Sequence, residues 1–234
     1  MELHRPFSSP ARPVREDPCF LIEEGFLPAQ KCSELVDRFR EDRSLLSVDR
    51  RVVNGTNKVV NELFLDSDAV RSRWQDDVRE IVAGVKPRLE AYLSSFGTVG
   101  ADDYRFSHAC FWEQREGEHA PLHYDAEFIY EPGRAAHPIR NFLCLIYMND
   151  DYEAGELIFP LQKKVYKPRA GSLVLFPTSF MFPHQTAPSI GNDRYLMRLA
   201  YYLDVEKKAR KEGYVASDTS KPGLGTGDTT HKGR

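Results

Sequence analysis

The chain has 234 residues, 41% apolar and 29% charged, with a formal net charge of −3, which suits one globular domain with a real core. Seven Lys/Arg against four Asp/Glu put +3 on the last thirty residues and leave −6 on residues 1–204, so composition excludes a broad basic face for nucleic acid. No apolar run approaches the roughly 18 residues of a membrane span. The N-terminal stretch MELHRPFSSPARPVRED lacks the apolar region of a secretory signal. Four scattered cysteines (Cys19, Cys32, Cys110, Cys144) without a CxxC pair read as reduced thiols in a cytoplasmic protein.

In chain order, residues 1–17 are rich in Pro, Arg and Ser and read as a loose arm. Phe20-Leu21-Ile22 reads as a short strand. Pro28 opens a helix in which Cys32, Leu35, Val36 and Phe39 fall at i, i+3, i+4, i+7, ending near Asp42. Asn54-Gly55-Thr56-Asn57 is a turn signal. Ser67 or Asp68 can cap a second helix with the stripe Val70, Trp74, Val78, Ile81, Val82, Val85, Leu89, Leu93. Pro87 predicts a kink or break in it, and Gly97 a stop.

Beyond residue 103, segments 104–112, 141–148, 156–159, 172–176 and 195–203 are rich in β-branched and aromatic residues and alternate with Gly, Pro and Asp turns. That is the pattern of a sandwich or jelly roll. The expected fold is mainly β with N-terminal helices (α+β), one domain over 18–204, with a helical part 18–100 and a β core 101–204. Residues 205–234 read as a basic, disordered tail.

The segment Pro121-Leu122-His123-Tyr124-Asp125 carries the chemistry. On an extended strand, residues i and i+2 project to one face, so His123 and Asp125 can share an ion. His184, in Phe182-Pro183-His184-Gln185-Thr186, is the best third ligand. Two imidazoles and one carboxylate form the facial triad of non-haem Fe(II) oxygenases, which leaves positions open for a bidentate acid and dioxygen. Arg194 follows ten residues after His184, where a guanidinium can grip the far carboxylate of a dicarboxylic co-substrate.

Taken together these residues resemble the prolyl 4-hydroxylase-like branch of the 2-oxoglutarate/Fe(II) dioxygenases, most strongly over 104–203. The parts occur in the family order: His123 and Asp125; Ile146-Tyr147-Met148-Asn149; Ala154-Gly155-Glu156-Leu157-Ile158-Phe159-Pro160; Pro168 through Gly171 to Phe176; then His184 and Arg194. The resemblance implies a double-stranded β-helix (jelly-roll) core. It implies Fe(II), 2-oxoglutarate and O2 as cofactors, with ascorbate as a stimulant, and release of succinate and CO2 as an unactivated C–H bond is hydroxylated. Tyr147 matches a tyrosine that binds the distal 2-oxoglutarate carboxylate in some members, and Gly171 and Phe176 look like scaffold. Related halogenases carry a small residue in place of the carboxylate, so by this resemblance Asp125 implies hydroxylation, or a dealkylation that begins with hydroxylation. Two departures stand out. Ala154 replaces the first Gly of the Gly-Gly-Glu segment, and Phe111-Trp112-Glu113-Gln114-Arg115-Glu116-Gly117 replaces a Tyr-X-X-Gly pattern, leaving open which aromatic, Trp112 among them, faces the pocket.

Arg194, Leu196, Arg198 and Ala200 share one face of a regular strand. Arg198 could therefore bind a substrate carboxylate or phosphate; a bulge turning it to the surface or a structural ion pair are the alternatives. Glu127, Tyr130 and Arg134, in the loop after the metal strand, are further substrate contacts by position. A small anionic substrate such as an amino acid or natural-product intermediate is the favoured reading. A protein or peptide residue such as proline is the alternative, and a non-catalytic metal-binding module the third. The sequence leaves the oligomeric state open.

Overall fold

The computed structural model describes residues 19–53, 56–65, 67–96, 100–106, 109–126 and 140–211. A short strand β1 (Leu21–Glu23) precedes helix α1 (Ala29–Glu41). A hairpin, β2 (Ser47–Val53) and β3 (Thr56–Phe64), leads to the long helix α2 (Arg71–Ser94). Then come β4 (Tyr104–Phe106), β5 (Cys110–Gln114), β6 (Arg140–Tyr147), β7 (Glu153–Ala154), β8 (Leu157–Phe159) and β9 (Lys164–Tyr166). The series closes with β10 (Leu173–Pro177), β11 (Gln185–Thr186), β12 (Ser189–Ile190), β13 (Arg194–Leu203) and a third helix, α3 (Val205–Lys211).

The large sheet is antiparallel, in the order β1-β10-β6-β13-β5-β3-β2, with β4 also paired to β13. Facing it, β11-β8-β9 form a small sheet and β12-β7 a further pair. Period-two alternation gives the large sheet two apolar faces. Phe111, Ile146, Met197 and Leu199 point to one side and join Leu35, Phe39, Trp74, Ile81, Val85 and Leu89 of the helices in one core. Phe39 stacks on Phe111 with ring centroids 4.7 Å apart. Cys110, Trp112, Leu143, Leu145, Tyr147, Leu196 and Ala200 point to the other side, into the space between the sheets.

The structure differs from the sequence reading at several points. The region read as helical contains the β2–β3 hairpin, which extends the large sheet through β3–β5 pairing. Segment 104–112 is not one strand: β4 and β5 are separate. α2 starts at Arg71, after a turn in which Ser67 O accepts from the amides of Val70 and Arg71 at 3.2 and 2.9 Å, rather than at a side-chain cap on Ser67 or Asp68. The helix also runs unbroken through Pro87. An interior proline costs about 3 kcal/mol, and burial of Val85, Leu89, Tyr92 and Leu93 on either side of it outweighs that. Finally, residues 205–211 of the expected tail are helical. Asp204 caps them by accepting from the Lys207 amide at 3.0 Å, and Lys211 Nζ lies 2.9 Å from Asp103 Oδ1.

Gly171 ties the first helix to the sheet. Its amide donates to Tyr147 O at 2.8 Å and its carbonyl accepts from the Leu27 amide at 3.0 Å. It has φ +78°, and a Cβ there would lie 2.1 Å from the Leu27 carbonyl oxygen. Both the left-handed backbone and the contact demand glycine. Gly171→Ala is expected to destabilise the fold by about 2 kcal/mol or more. Urea unfolding should show this as a lower midpoint at an unchanged slope.

Candidate metal centre

His123 and His184 exchange both of their backbone hydrogen bonds, His123 N to His184 O at 2.9 Å and His184 N to His123 O at 2.8 Å. Residues directly opposed on antiparallel strands project their side chains to the same face. The two imidazoles therefore lie together, with ring centroids 4.5 Å apart. Asp125, two residues beyond His123, joins them. Its Oδ2 is 3.3 Å from His184 Nε2, and its Oδ1 is 3.7 Å from His123 Nε2. One ligand atom from each of the three residues lies within 4.8 Å of the other two.

The ring nitrogens are sorted by their backbone partners. His123 Nδ1 is 2.7 Å from Pro121 O, and His184 Nδ1 is 3.2 Å from Phe182 O. A carbonyl oxygen only accepts, so each Nδ1 carries the proton and donates, and each Nε2 turns a lone pair toward the shared centre. Carbonyl-anchored imidazoles of this kind are the usual metal-ligand arrangement. Ligands about 2.1 Å from an ion and at right angles to each other stand on the order of 3 Å apart, close to the spacings found here. Phe159 and Phe176 pack against His184, at 5.4 and 5.0 Å between centroids, and fix its ring.

The three residues open on a cavity walled by Leu143, Leu145, Leu157 and Leu196, with Trp112, Gln114, Tyr147 and Arg194 also lining it. Trp112 is thus the aromatic that faces the pocket, while Phe111 faces the helices. Arg194 is only 1% exposed. Its Nη1 donates to Gly155 O at 2.8 Å and its Nη2 to Gln114 Oε1, while Nε has no acceptor. Among the described residues no carboxylate pairs with it. The Tyr147 hydroxyl is fully buried and makes no hydrogen bond. Burial pushes the Tyr147 phenol well above its ordinary pKa, against the pull of Arg194, so it stays protonated as a donor. A buried cation without an anion and a buried hydroxyl without an acceptor, side by side, are the complement of a carboxylate.

Gln114 was not singled out in the sequence. It sits opposite Arg194 in the β5–β13 register, and the alternation Trp112, Gln114 was the available signal. Arg198 is buried, stacked at 4.6 Å over Trp112. The one irregularity of the β13–β6 register lies at Tyr201/Tyr202, so no bulge turns Arg198 outward. Glu127, Tyr130 and Arg134 lie outside the described residues.

Residues 107–202 match the family model of the 2OG-Fe(II) oxygenase superfamily. The matched stretch contains His123, Asp125, His184 and Arg194, the residues that meet at the cavity. Similar solved structures share the fold. A viral collagen prolyl hydroxylase of Paramecium Bursaria Chlorella virus-1, solved as a 2OG complex, has 15% identity and a TM-score of 0.55 over 81% of this chain and 98% of its own. A Trichoplax adhaerens prolyl hydroxylase, solved with a hypoxia inducible factor peptide fragment, has 18% identity and a TM-score of 0.59 over 82% and 86%. A Pseudomonas putida prolyl-4-hydroxylase has 16% identity and a TM-score of 0.53 over 79% and 92%. No curated protein matches the chain. Among the described residues, no helix is long and apolar enough to cross a membrane.

Ala154 holds φ +54° directly before Gly155, whose carbonyl receives Arg194. A left-handed conformation costs a non-glycine residue roughly 1 kcal/mol. Ala154→Gly is expected to relieve that strain and to raise Tm by a few degrees, offset in part by the entropy of glycine in the unfolded chain. Scanning calorimetry checks this.

Proposed function

We propose that the protein is a 2-oxoglutarate- and Fe(II)-dependent hydroxylase in which Nε2 of His123, Nε2 of His184 and the Asp125 carboxylate hold the iron. Arg194 receives the distal carboxylate of 2-oxoglutarate, and the Tyr147 hydroxyl donates to the same group. The observation that carries this reading is the shared cavity. The only three-ligand cluster among the described residues opens into the same space as a buried guanidinium and a buried phenol that both lack an acidic partner.

The bound iron and 2-oxoglutarate supply oxygen activation coupled to decarboxylation, giving succinate, CO2 and a hydroxylated product. The chain's own residues bind, orient and keep water out. The two Nδ1–H···O=C hydrogen bonds aim the imidazoles. Gln114 and the Gly155 carbonyl fix the guanidinium plane, so its remaining donors face the cavity. Leu143, Leu145, Leu157 and Leu196 keep the wall apolar, which strengthens each polar contact inside it.

A small anionic molecule is the favoured substrate, supported by the second buried arginine, Arg198, on the cavity-side face of β13. A residue in a protein or peptide is the other reading, and it draws on two structural relatives, a collagen prolyl hydroxylase and a prolyl hydroxylase solved with a peptide fragment. A cytoplasmic location fits four cysteines that form no disulfide.

Anaerobic Co(II) titration read by visible absorption is expected to show at least 100-fold weaker metal binding in Asp125→Ala. Succinate formation with Fe(II), ascorbate and 2-oxoglutarate tests the other roles. Arg194→Leu should raise the KM for 2-oxoglutarate by roughly 100-fold or more, and Tyr147→Phe by about 5- to 10-fold. A wild-type protein that binds Co(II) but makes no succinate with any amino acid, peptide or small acid would fit a metal-binding module instead.

A further inference from the structure

Arg194 is not the only buried cation on its strand. β13 alternates, so Arg194, Leu196, Arg198 and Ala200 face the space between the sheets and Tyr195, Met197 and Leu199 face the helices. Four residues of strand separate the two guanidinium-bearing positions by about 13 Å. Arg198 is 8% exposed and lies just behind the cavity wall rather than on it: its cross-strand neighbours are Cys110 and Leu145, and Leu145, Leu196 and Trp112 are the wall residues nearest to it in the sheet.

The direct contacts of Arg198 include no carboxylate among the described residues. Its guanidinium carbon lies 4.6 Å from the centre of the Trp112 ring. Nη2 donates to Cys110 Sγ at 3.3 Å, a weak acceptor. That is its only hydrogen bond among the described residues, and Nε is buried without an acceptor. No carboxylate is within ion-pair distance of it there; Glu62 and Asp125 act on it only through space. Aromatic stacking uses the face of the guanidinium plane and leaves its N–H edge for an in-plane acceptor. If Asp125 binds the metal, its charge is shared with the ion, and Arg198 loses part of the little compensation it has.

We infer that Arg198, in cation–π contact with Trp112, forms a second anion subsite bordering the cavity, which receives a carboxylate of the substrate while Arg194 holds that of 2-oxoglutarate. This rests on the dioxygenase reading and adds the chemical class of the substrate to it. Each acid has its own guanidinium on β13, with the Leu196 row between them. The neutral Gln114 and Gly155 partners serve the first, and the Trp112 face positions the second.

The test is a binding measurement on the full-length protein loaded with Mn(II) and 2-oxoglutarate under nitrogen. The probes are the L-amino acids and the C3–C6 monocarboxylic acids, each paired with its carboxamide and read by Tm and tryptophan fluorescence. At least one acid should bind tenfold or more tighter than its amide. Arg198→Gln should erase that preference, and Arg198→Lys, which keeps the charge but not the planar fork, should retain part of it. N-acetylated, C-amidated Asp and Glu form a second arm, and preference for these assigns the carboxylate to a peptide side chain rather than a free acid. A wild-type protein that does not distinguish any acid from its amide overturns the proposal. So does a preference that survives in Arg198→Gln, and Arg198→Lys decides the matter by the same comparison if the glutamine variant fails to fold. Titration of 2-oxoglutarate itself in the Mn(II) protein separates the two readings. If it does not bind, the dioxygenase reading fails; if it binds and the acid preference is missing, only the subsite fails.

Discussion

The site depends on one pair of backbone hydrogen bonds. His123 and His184 lie 61 positions apart in the chain, and their reciprocal N–H···O=C contacts put two imidazoles on one face before any side chain acts. Asp125 follows two residues later in a bend, anchored by the Ala126 amide donating to Thr178 O at 3.0 Å, which brings its carboxylate beside both rings. A one-residue slip in this pairing would turn the His184 ring to the opposite face, away from His123 and Asp125. The register is held from both sides. The Thr186 amide donates to Ala120 O and the Ala126 amide to Thr178 O, while Gln185 and Thr186 pair with Ile158 and Leu157 of β8. The ligand geometry is thus a property of the small sheet, supported from beneath by Phe159 and Phe176.

The two faces of the large sheet treat buried charge differently, and the contrast separates structural from functional polarity. On the helix side, charges are met within the protein. Glu113, fully buried, is held by Arg43, by Asn61 at 3.0 Å and by the Tyr195 hydroxyl at 3.2 Å, which fastens the β2–β3 hairpin and β13 to the helical layer. Glu23 takes a two-pronged contact from Arg88, at 2.7 and 3.0 Å. Asp42 meets Trp74 Nε1 at 2.8 Å as well as Arg73. On the cavity side, Arg194 and Arg198 have carbonyl, amide, thiol and aromatic partners but, among the described residues, no carboxylate. A fold that pairs its buried acids so consistently could have paired these cations too. Leaving them open is expensive in the empty protein, and the arrangement makes sense when the anion arrives with a ligand.

Much of this was legible in the sequence because it follows from period-two geometry. The shared face of Arg194 and Arg198 needs only a regular strand, whereas His123, Asp125 and His184 were legible as residue types at a spacing and meet through an isolated bridge and a bend. The β-rich character beyond residue 103 was equally plain from composition. The β2–β3 hairpin was not, because Asp49, Arg50, Arg51, Asn57 and Lys58 interrupt the apolar alternation that marks a strand; only its turn was visible. Pro87 misled because local propensity says nothing about how much tertiary burial surrounds it. The choice between Phe111 and Trp112 required the β5 register, which no local pattern supplies. Ala154 looked like a mild replacement of glycine, and only its φ shows that the position is left-handed.

The same reasoning bears on why the cavity is built on β13. This strand pairs with β6 on one side and β5 on the other, and so sits at the middle of the large sheet. A central strand is held along both edges, so its side chains move least. Placing both guanidinium groups there fixes two recognition points relative to each other through backbone hydrogen bonds rather than through loops. His123, Asp125 and His184 stand across the leucine-lined cavity from this strand, next to β11 of the small sheet. Under the proposed function, rigid sheets would set the distance between the metal and the two guanidinium groups, and the Arg198 side would decide the substrate.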